Sequence, residues 1–124
     1  MGVSTDAYLC LGVPIDEDDQ WDLPWKIEED YYDDLEDWWQ DMGNEDPPPA
    51  QEVYHCSDEY PMLILAVPGS VKWSWRGHVE EIEGEFFTEF PTRNWQDCAR
   101  LKEFLREYDI SDEEPRWCLV SEWG

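Results

Sequence analysis

Carboxylates are the side chains of this sequence with the clearest capacity for chemistry. Of the 124 residues, 32 are Asp or Glu and eight are Lys or Arg, which gives a formal net charge of −24 at pH 7. Residues 1–60 hold 19 of the acidic residues and one basic residue, Lys26, so this half carries a charge of −18. Because contacts with phosphate groups need Lys and Arg, this charge argues against binding to nucleic acid or to an anionic membrane. It favours a partner with a basic surface.

A first run of carboxylates, Asp16–Asp19, could be compared with a calcium-binding loop. The calcium loop of an EF-hand needs a glycine at its sixth position and a glutamate at its twelfth, and the run that starts here has neither. We therefore expect no dedicated metal site and interpret the run as an acidic surface loop.

Thiols and imidazoles are the preferred ligands of zinc, and the chain has four cysteines and two histidines. They are Cys10, Cys56, Cys98, Cys118, His55 and His78. No CxxC pair is present, and nothing in the spacing requires a shared site. We expect reduced, mostly buried thiols and no bound metal. No motif for Cys–His nucleophilic catalysis surrounds either histidine.

Paired carboxylates could also hydrolyse glycosidic bonds, with Trp residues stacked on the sugar. Such a pair needs one carboxyl group in an apolar pocket, and the abundance of acidic residues gives no way to single out two of them. The seven glycines are scattered singly, so no glycine-rich phosphate loop is present. The sequence therefore predicts no catalytic residues, no cofactor and no enzymatic activity.

A cluster of aromatic and basic residues in the second half of the chain has two interpretations. Its members are Trp73, Trp75, Arg76 and His78. They could form a pocket in which a base or a sugar ring lies on an indole beneath the guanidinium group. In the other interpretation, which is the more common arrangement, the Arg side chain packs on an indole within the domain.

The carboxylates need an element to hold them, and the most strongly patterned stretch is residues 27–42, IEEDYYDDLEDWWQDM. At about 3.6 residues per turn, its apolar residues share one arc and its carboxylates share the other. Like charges at helical spacing repel one another, so the aromatic arc must be packed to hold such a helix. The pattern predicts a helix with an outward acidic face: Glu29, Asp30, Asp33, Asp34, Glu36, Asp37 and Asp41.

The whole chain, residues 1–124, is predicted to form one α+β domain. Nine Trp, six Tyr and four Phe can supply a sizeable core at this length. The predicted strands are 3–13, 52–56, 62–67, 71–76 and 116–123, and residues 78–90 have no assignment. Residues 62–67 are apolar throughout, so we expect this strand to be buried on both faces. Asn94 is the predicted N-cap of a second helix. We expect a mainly antiparallel sheet of about four to five strands with two helices on one face.

The net charge of the chain exceeds what solubility requires. A net charge of about 2–8 is enough for a small domain, and a larger charge repels itself. Carboxylates on successive helical turns stand about 5.4 Å apart along the axis, of the same order as the spacing of charges along a nucleic-acid backbone. A rigid helix of this kind could occupy a groove built of Lys and Arg. The pattern thus predicts mimicry of nucleic acid, assisted by Asp16, Glu17, Asp18 and Asp19.

Three segments carry a resemblance to known sequences. They are STDAYLCLGVPID with the downstream WDLPW, CSDEYPMLILAV at residues 56–67, and the closing WCLVSEWG, about a third of the chain together. In these segments the chain resembles small bacteriophage proteins, particularly those of phages that infect actinobacteria. That family brings no catalytic residues. Separately, the composition is similar to that of phage inhibitors that mimic DNA, including acidic anti-CRISPR proteins, and this likeness is of charge and not of motif.

Together these features predict a phage-encoded inhibitor that acts in the cytoplasm of the host cell. It would bind a basic, nucleic-acid-contacting surface of a host defence complex, with a CRISPR effector as the first candidate, and block binding of the target nucleic acid. One alternative is an immunity-type partner that neutralises a basic toxin or nuclease. Another is a nucleotide-binding protein that uses the Trp73 cluster. No apolar run reaches the roughly 20 residues of a membrane-spanning helix, and no secretory leader is evident.

The sequence leaves open whether Trp21 and Trp39, which lie beside the acidic residues, are exposed anchors for that partner. An exposed indole ringed by carboxylates would be a natural hot spot for binding.

Overall fold

The computed structural model of the protein describes residues 5–26, 32, 34–57 and 59–123. Within these ranges the chain forms five β-strands and three α-helices, with a short 3-10 helix after the first strand. In chain order they are β1 (Thr5–Ile15), the 3-10 helix (Asp19–Asp22), α1 (Leu35–Asp41), β2 (Gln51–Ser57), β3 (Pro61–Ala66), β4 (Lys72–Trp75), α2 (Phe86–Arg93), α3 (Trp95–Glu107) and β5 (Arg116–Trp123). The predicted α+β class is confirmed.

The sheet is built around β1, which pairs antiparallel with three other strands. It pairs with β5 over residues 5–12, with β4 over residues 6–9 and with β3 over residues 12–15. β2 pairs antiparallel with β3 and joins β5 through a short parallel ladder at Cys56 and Ser57. The predicted, mainly antiparallel sheet is therefore confirmed. Its pairings also close a ring, β1–β3–β2–β5–β1, with β4 added outside β1.

Gly12 lies where β1 approaches β3 and the ring closes. A Cβ atom at this position would be 2.7 Å from the carbonyl oxygen of Leu65, 2.8 Å from Cγ2 of Ile64 and 2.9 Å from Cα of Ala66. Only a residue without a side chain lets two backbones come this close. Closure of the sheet therefore depends on a glycine at this position.

Alternate residues of the strands serve two hydrophobic clusters, because successive side chains of a strand point to opposite faces. The inner cluster lies within the ring and consists of Cys10, Val53, Ile64 and Ala66, with Tyr8, Val71, Cys118 and Val120 packed against it. The outer cluster lies between the sheet and the helices and includes Leu11, Val13, Leu63, Leu65, Leu35, Trp38, Leu101, Phe104 and Leu105. Residues of β3 contribute to both clusters, which confirms the prediction that this strand is buried on both faces.

All three helices lie on the outer side of the ring. Trp38 of α1 packs against Phe104 of α3, with ring centroids 6.5 Å apart, and against Tyr108 at 5.3 Å. In α2, Phe86 and Phe87 pack on Trp117 of β5, each at 5.2 Å. The structure thus has one helix more than predicted. Gly84 before α2 and Pro91 within it obscure the helical pattern in the sequence.

The helix predicted over residues 27–42 is shorter in the structure. α1 begins at Leu35, because the backbone of Asp34 is extended, with φ −146° and ψ 168°. The Asp34 side chain accepts a hydrogen bond of 2.8 Å from the amide of Asp37, as an N-cap does. Aspartate favours caps over helix interiors, and like charges repel at helical spacing, so the acidic pattern starts a helix here instead of continuing one. Residues 27–31 and 33 lie outside the described ranges.

Candidate functional site

Most of the predicted carboxylates lie in two exposed surface patches. We call Asp16–Asp19 the loop patch, and we call Asp34, Glu36, Asp37 and Asp41 the helix patch. All eight of these residues are exposed. The other three predicted residues, Glu29, Asp30 and Asp33, lie outside the part of the chain that the structure describes.

The loop patch follows β1 and is held by backbone hydrogen bonds. The amides of Asp19 and Gln20 donate to the carbonyl oxygen of Asp16 over 3.0 and 3.1 Å. The Gln20 side chain is buried, and its Nε2 donates to the carbonyl oxygen of Pro61 over 3.0 Å, which ties the loop to the start of β3. The carboxylates of the loop patch therefore project from a backbone with a defined shape.

Trp21 lies in the 3-10 helix beside the loop patch and is 57% exposed. Asp22 follows it and, together with Asp19 and Asp109, lines a groove of about 280 Å³. This indole is therefore an exposed apolar group among carboxylates, as a binding hot spot would require. Trp39 differs, since it is half-buried and its Nε1 donates to the carbonyl oxygen of Asp46 over 2.9 Å.

The helix patch is presented by α1, whose opposite side is buried. Leu35 and Trp38 are 1% and 3% exposed and anchor the helix in the outer cluster. Glu36, Asp37 and Asp41 occupy the remaining arc. Tyr108 packs its ring on Trp38 and also lines the groove of Asp19 and Asp22.

Glu52 of β2 fixes the start of α1, and no pattern in the sequence distinguishes it from the other acidic residues. Its Oε1 accepts a hydrogen bond of 2.7 Å from the amide of Leu35. Its Oε2 accepts bonds of 3.3 Å from Nε1 of Trp25 and 2.7 Å from the hydroxyl of Tyr54. One carboxylate thus joins Trp25 and the start of α1 to β2.

The ion pairs among the described residues do not involve the carboxylates of the two patches. Ion pairs there join His78 with Glu80, Arg93 with Glu89, Lys102 with Glu114 and Arg116 with Glu113. Each of these pairs lies in the second half of the chain. The carboxylates of the loop patch and the helix patch form no ion pair with any described residue. Within the helix patch, Asp41 accepts a hydrogen bond from the hydroxyl of Tyr32.

The structure brings three of the four residues of the predicted aromatic pocket together. The rings of Trp73 and Trp75 are 4.8 Å apart and tilted by 46°, and His78 stacks on Trp75 at 3.9 Å. Arg76 is exposed and stacks on no ring among the described residues. A groove of about 160 Å³ includes Trp73, but Ala7, Leu9 and Leu119 line it in place of the other predicted members.

Burial suppresses the reactivity of the Cys10 and Cys118 thiols. Cys10 and Cys118 face each other across β1 and β5. Burial, with a smaller contribution from Cys118, raises the pKa of Cys10 to about 12. Burial also raises the pKa of Cys118 and lowers the pKa of His55. Within the described ranges, no group of three or more His, Cys, Asp or Glu is placed to hold a metal ion.

Comparisons with protein-family models, with curated proteins and with solved structures found no match to this chain. Among the described residues, no helix combines the length and the apolar character needed to cross a membrane.

Proposed function

We propose that this protein is a phage-encoded inhibitor that binds a basic, nucleic-acid-contacting surface of a host defence complex in the cytoplasm of the host. It would occupy the positions of phosphate groups and so block target binding, and a CRISPR effector is the first candidate. One observation carries the proposal. All eight described carboxylates of the two patches are exposed, and none forms an ion pair within the described chain.

The rigidity of the patches supports the proposal. Charges that are fixed by folding need less ordering when they meet a complementary surface, which improves affinity. Packing of Leu35 and Trp38 fixes the helix patch, and the bond from Gln20 to Pro61 fixes the loop patch. Long-range attraction by a net charge of −24 would also accelerate association with a positive surface.

The proposed interface has a different shape from the one that the sequence predicts. A long helix with regular rows of carboxylates is absent from the described chain, since α1 has seven residues. The proposed interface is therefore composed of a short helix and a loop, with Trp21 as an apolar anchor beside them. An exposed ion pair is worth about 0.2–1 kcal/mol, so affinity must come from many pairs together.

The test is a competition assay with purified proteins. A panel of CRISPR effectors and a basic nuclease is incubated with labelled duplex DNA, and the inhibitor is added at increasing concentration. We compare the wild type with a variant carrying Glu17→Lys, Glu36→Lys and Asp37→Lys. The matched control carries Glu81→Lys, Glu83→Lys and Glu103→Lys, which reverse the same number of exposed carboxylates elsewhere.

We expect the wild type and the control to displace DNA from at least one effector. The patch variant should need a concentration about tenfold higher or more, since three favourable pairs are replaced by repulsion. Equal loss in both variants would mean that only total charge matters, and the proposed surface would be wrong. Inhibition of the nuclease without any effect on the effectors would favour the immunity-type alternative.

A second candidate function, nucleotide binding, is favoured by the exposure of Trp73 and Trp75, each 46% exposed. An aromatic base could lie on one of these indoles, although Arg76 would have to move to close over it. Titration with a panel of nucleotides at high salt tests this function. Quenching of the indole fluorescence in the wild type, and its loss in Trp75→Ala, would favour it, and an unchanged signal would remove it.

A further inference from the structure

A groove of about 480 Å³ opens between the start of α1 and the chain that leads into β2. Its apolar walls include Pro47, Pro48 and Pro68, and its acidic groups are Asp34, Glu36 and Glu52. Carboxylates beside a largely apolar surface complement a cation that is carried on an apolar stem. Arg and Lys are the side chains with this construction.

The acidic groups of the groove differ in whether their oxygens can accept further hydrogen bonds. Oδ1 of Asp34 is engaged by the amide of Asp37, and Oε1 of Glu36 accepts a long bond of 3.4 Å from Gln40. Oδ2 of Asp34 and Oε2 of Glu36 accept no hydrogen bond from the described residues. Glu52 is already bound by three donors. Two oxygens are therefore open to a donor, while Glu52 contributes its charge.

Two cations of the protein itself lie against walls of this groove without being part of its lining. Nζ of Lys26 is 6.0 Å from the ring centroid of Tyr54. Arg100 donates from Nη2 to the carbonyl oxygen of Pro47 over 2.8 Å. The surroundings of the groove thus already accommodate positive groups.

We propose that this groove receives an arginine side chain from the basic surface of the partner, an inference that rests on the proposed function. The guanidinium group is planar and presents several donors in a fixed fork, so it can bond to Asp34 and Glu36 together. Its flat faces and its methylene stem suit the proline walls. A lysine ammonium is compact and strongly hydrated, so it gains less from an apolar wall.

The experiment compares the binding of hexaarginine and hexalysine peptides by isothermal titration calorimetry. The test variant carries Asp34→Asn and Glu36→Gln, which remove two charges while asparagine keeps the cap of α1. The matched control carries Glu81→Gln and Glu83→Gln, which are exposed and lie outside the groove. A further variant, Gln51→Trp, fills the groove from its exposed edge and keeps every carboxylate.

We expect the wild type and the control to bind hexaarginine more tightly than hexalysine. The test variant should bind hexaarginine about tenfold more weakly, which corresponds to two exposed charge pairs. Gln51→Trp should remove the preference for hexaarginine and leave the binding of hexalysine unchanged. Equal affinity for the two peptides, or equal loss in test and control variants, would overturn the arginine groove while leaving a basic partner possible. Absence of binding to either peptide at low salt would overturn the proposed function as well.

Discussion

At the scale of single residues, Gly12 shows how a backbone contact can decide a fold. Its position at the junction of β1 and β3 leaves no room for a methyl group, because three atoms of β3 would lie within 3.0 Å of a Cβ. Gly84 is a useful contrast, since no atom lies within 4 Å of a Cβ at that position. A side chain can therefore be accommodated at Gly84 but not at Gly12.

Replacing Gly12 by alanine should therefore destabilise the protein. Forcing a methyl group into a packed contact costs about 1–3 kcal/mol, and the neighbours here include rigid backbone. We expect a loss of free energy of unfolding at or above the upper end of this range, measured by urea denaturation. Gly84→Ala is the control and should change stability by less than about 1 kcal/mol. Equal effects would show that the close approach is relieved without cost.

The raised pKa of Cys10 predicts how the free energy of unfolding depends on pH in the alkaline range. Its pKa is raised from the ordinary 9.0 to about 12, so the folded protein keeps a proton that the unfolded chain loses. Stability should therefore fall as pH rises from 9 towards 12, with a slope of up to about 1.4 kcal/mol per pH unit from this thiol.

Urea denaturation of the wild type and Cys10→Ala at several pH values, with reductant present, measures this slope. The variant should show a shallower decline above pH 9, and the two profiles should run parallel below pH 8. Parallel profiles over the whole range would mean that burial does not hold the thiol proton. Tyr8, whose pKa is also raised to about 12, chiefly by burial, contributes in both proteins and cancels in the comparison.

At the scale of elements, α1 is too short to be stable alone. Isolated helices below about 12–15 residues are marginal in water, and this one spans seven residues with carboxylates on its exposed side. Its stability comes from the aromatic residues beneath it and from Glu52, which receives the Leu35 amide. The position of the helix patch therefore depends on β2, an element that follows α1 in the sequence.

Glu52→Ala should loosen this attachment. It removes the acceptor for Nε1 of Trp25, whose side chain is fully buried, for the hydroxyl of Tyr54 and for the Leu35 amide. A buried donor left without a partner costs about 1–3 kcal/mol, so we expect a loss of about 2–4 kcal/mol in urea denaturation. Glu45→Ala, at an exposed position, is the control for the lost charge. If both variants were equally stable, Glu52 would not be the anchor of α1.

At the scale of the whole molecule, the net charge of −24 acts on stability and on binding with opposite signs. Salt screens both the self-repulsion that opposes the folded state and the attraction to a basic partner. The free energy of unfolding should therefore rise with ionic strength, while the affinity for a basic partner should fall.

Thermal unfolding in 10 mM and 500 mM NaCl measures the first effect. Relief of about 1 kcal/mol of repulsion would raise Tm by about 3–5 °C at this chain length. Titration with hexaarginine under the same conditions measures the second effect, and its affinity should fall as Tm rises. A Tm that is independent of salt would show that the carboxylates do not strain the fold.

The α+β class, most of the strands and the location of the charge could be predicted from the amino-acid sequence. These properties follow from local periodicity and composition, which are readable without knowing which segments meet. Residues 62–67 read as a strand buried on both faces because they are apolar throughout, and the structure places them between the two clusters. The exposure of Asp16–Asp19 followed in the same way from an uninterrupted run of charge.

Three features could not be predicted without the folded structure: the start of α1, the closure of the sheet at Gly12 and the anchoring of the helix patch by Glu52. Each of these depends on residues far apart in the chain, such as Glu52 with Trp25 or Gly12 with Leu65. From the sequence, Asp34 fits both an acidic helical face and an N-cap. The packing around it decides which of these positions it occupies. Local patterns determine which conformations each segment favours. Contacts between distant segments determine which of these conformations it adopts.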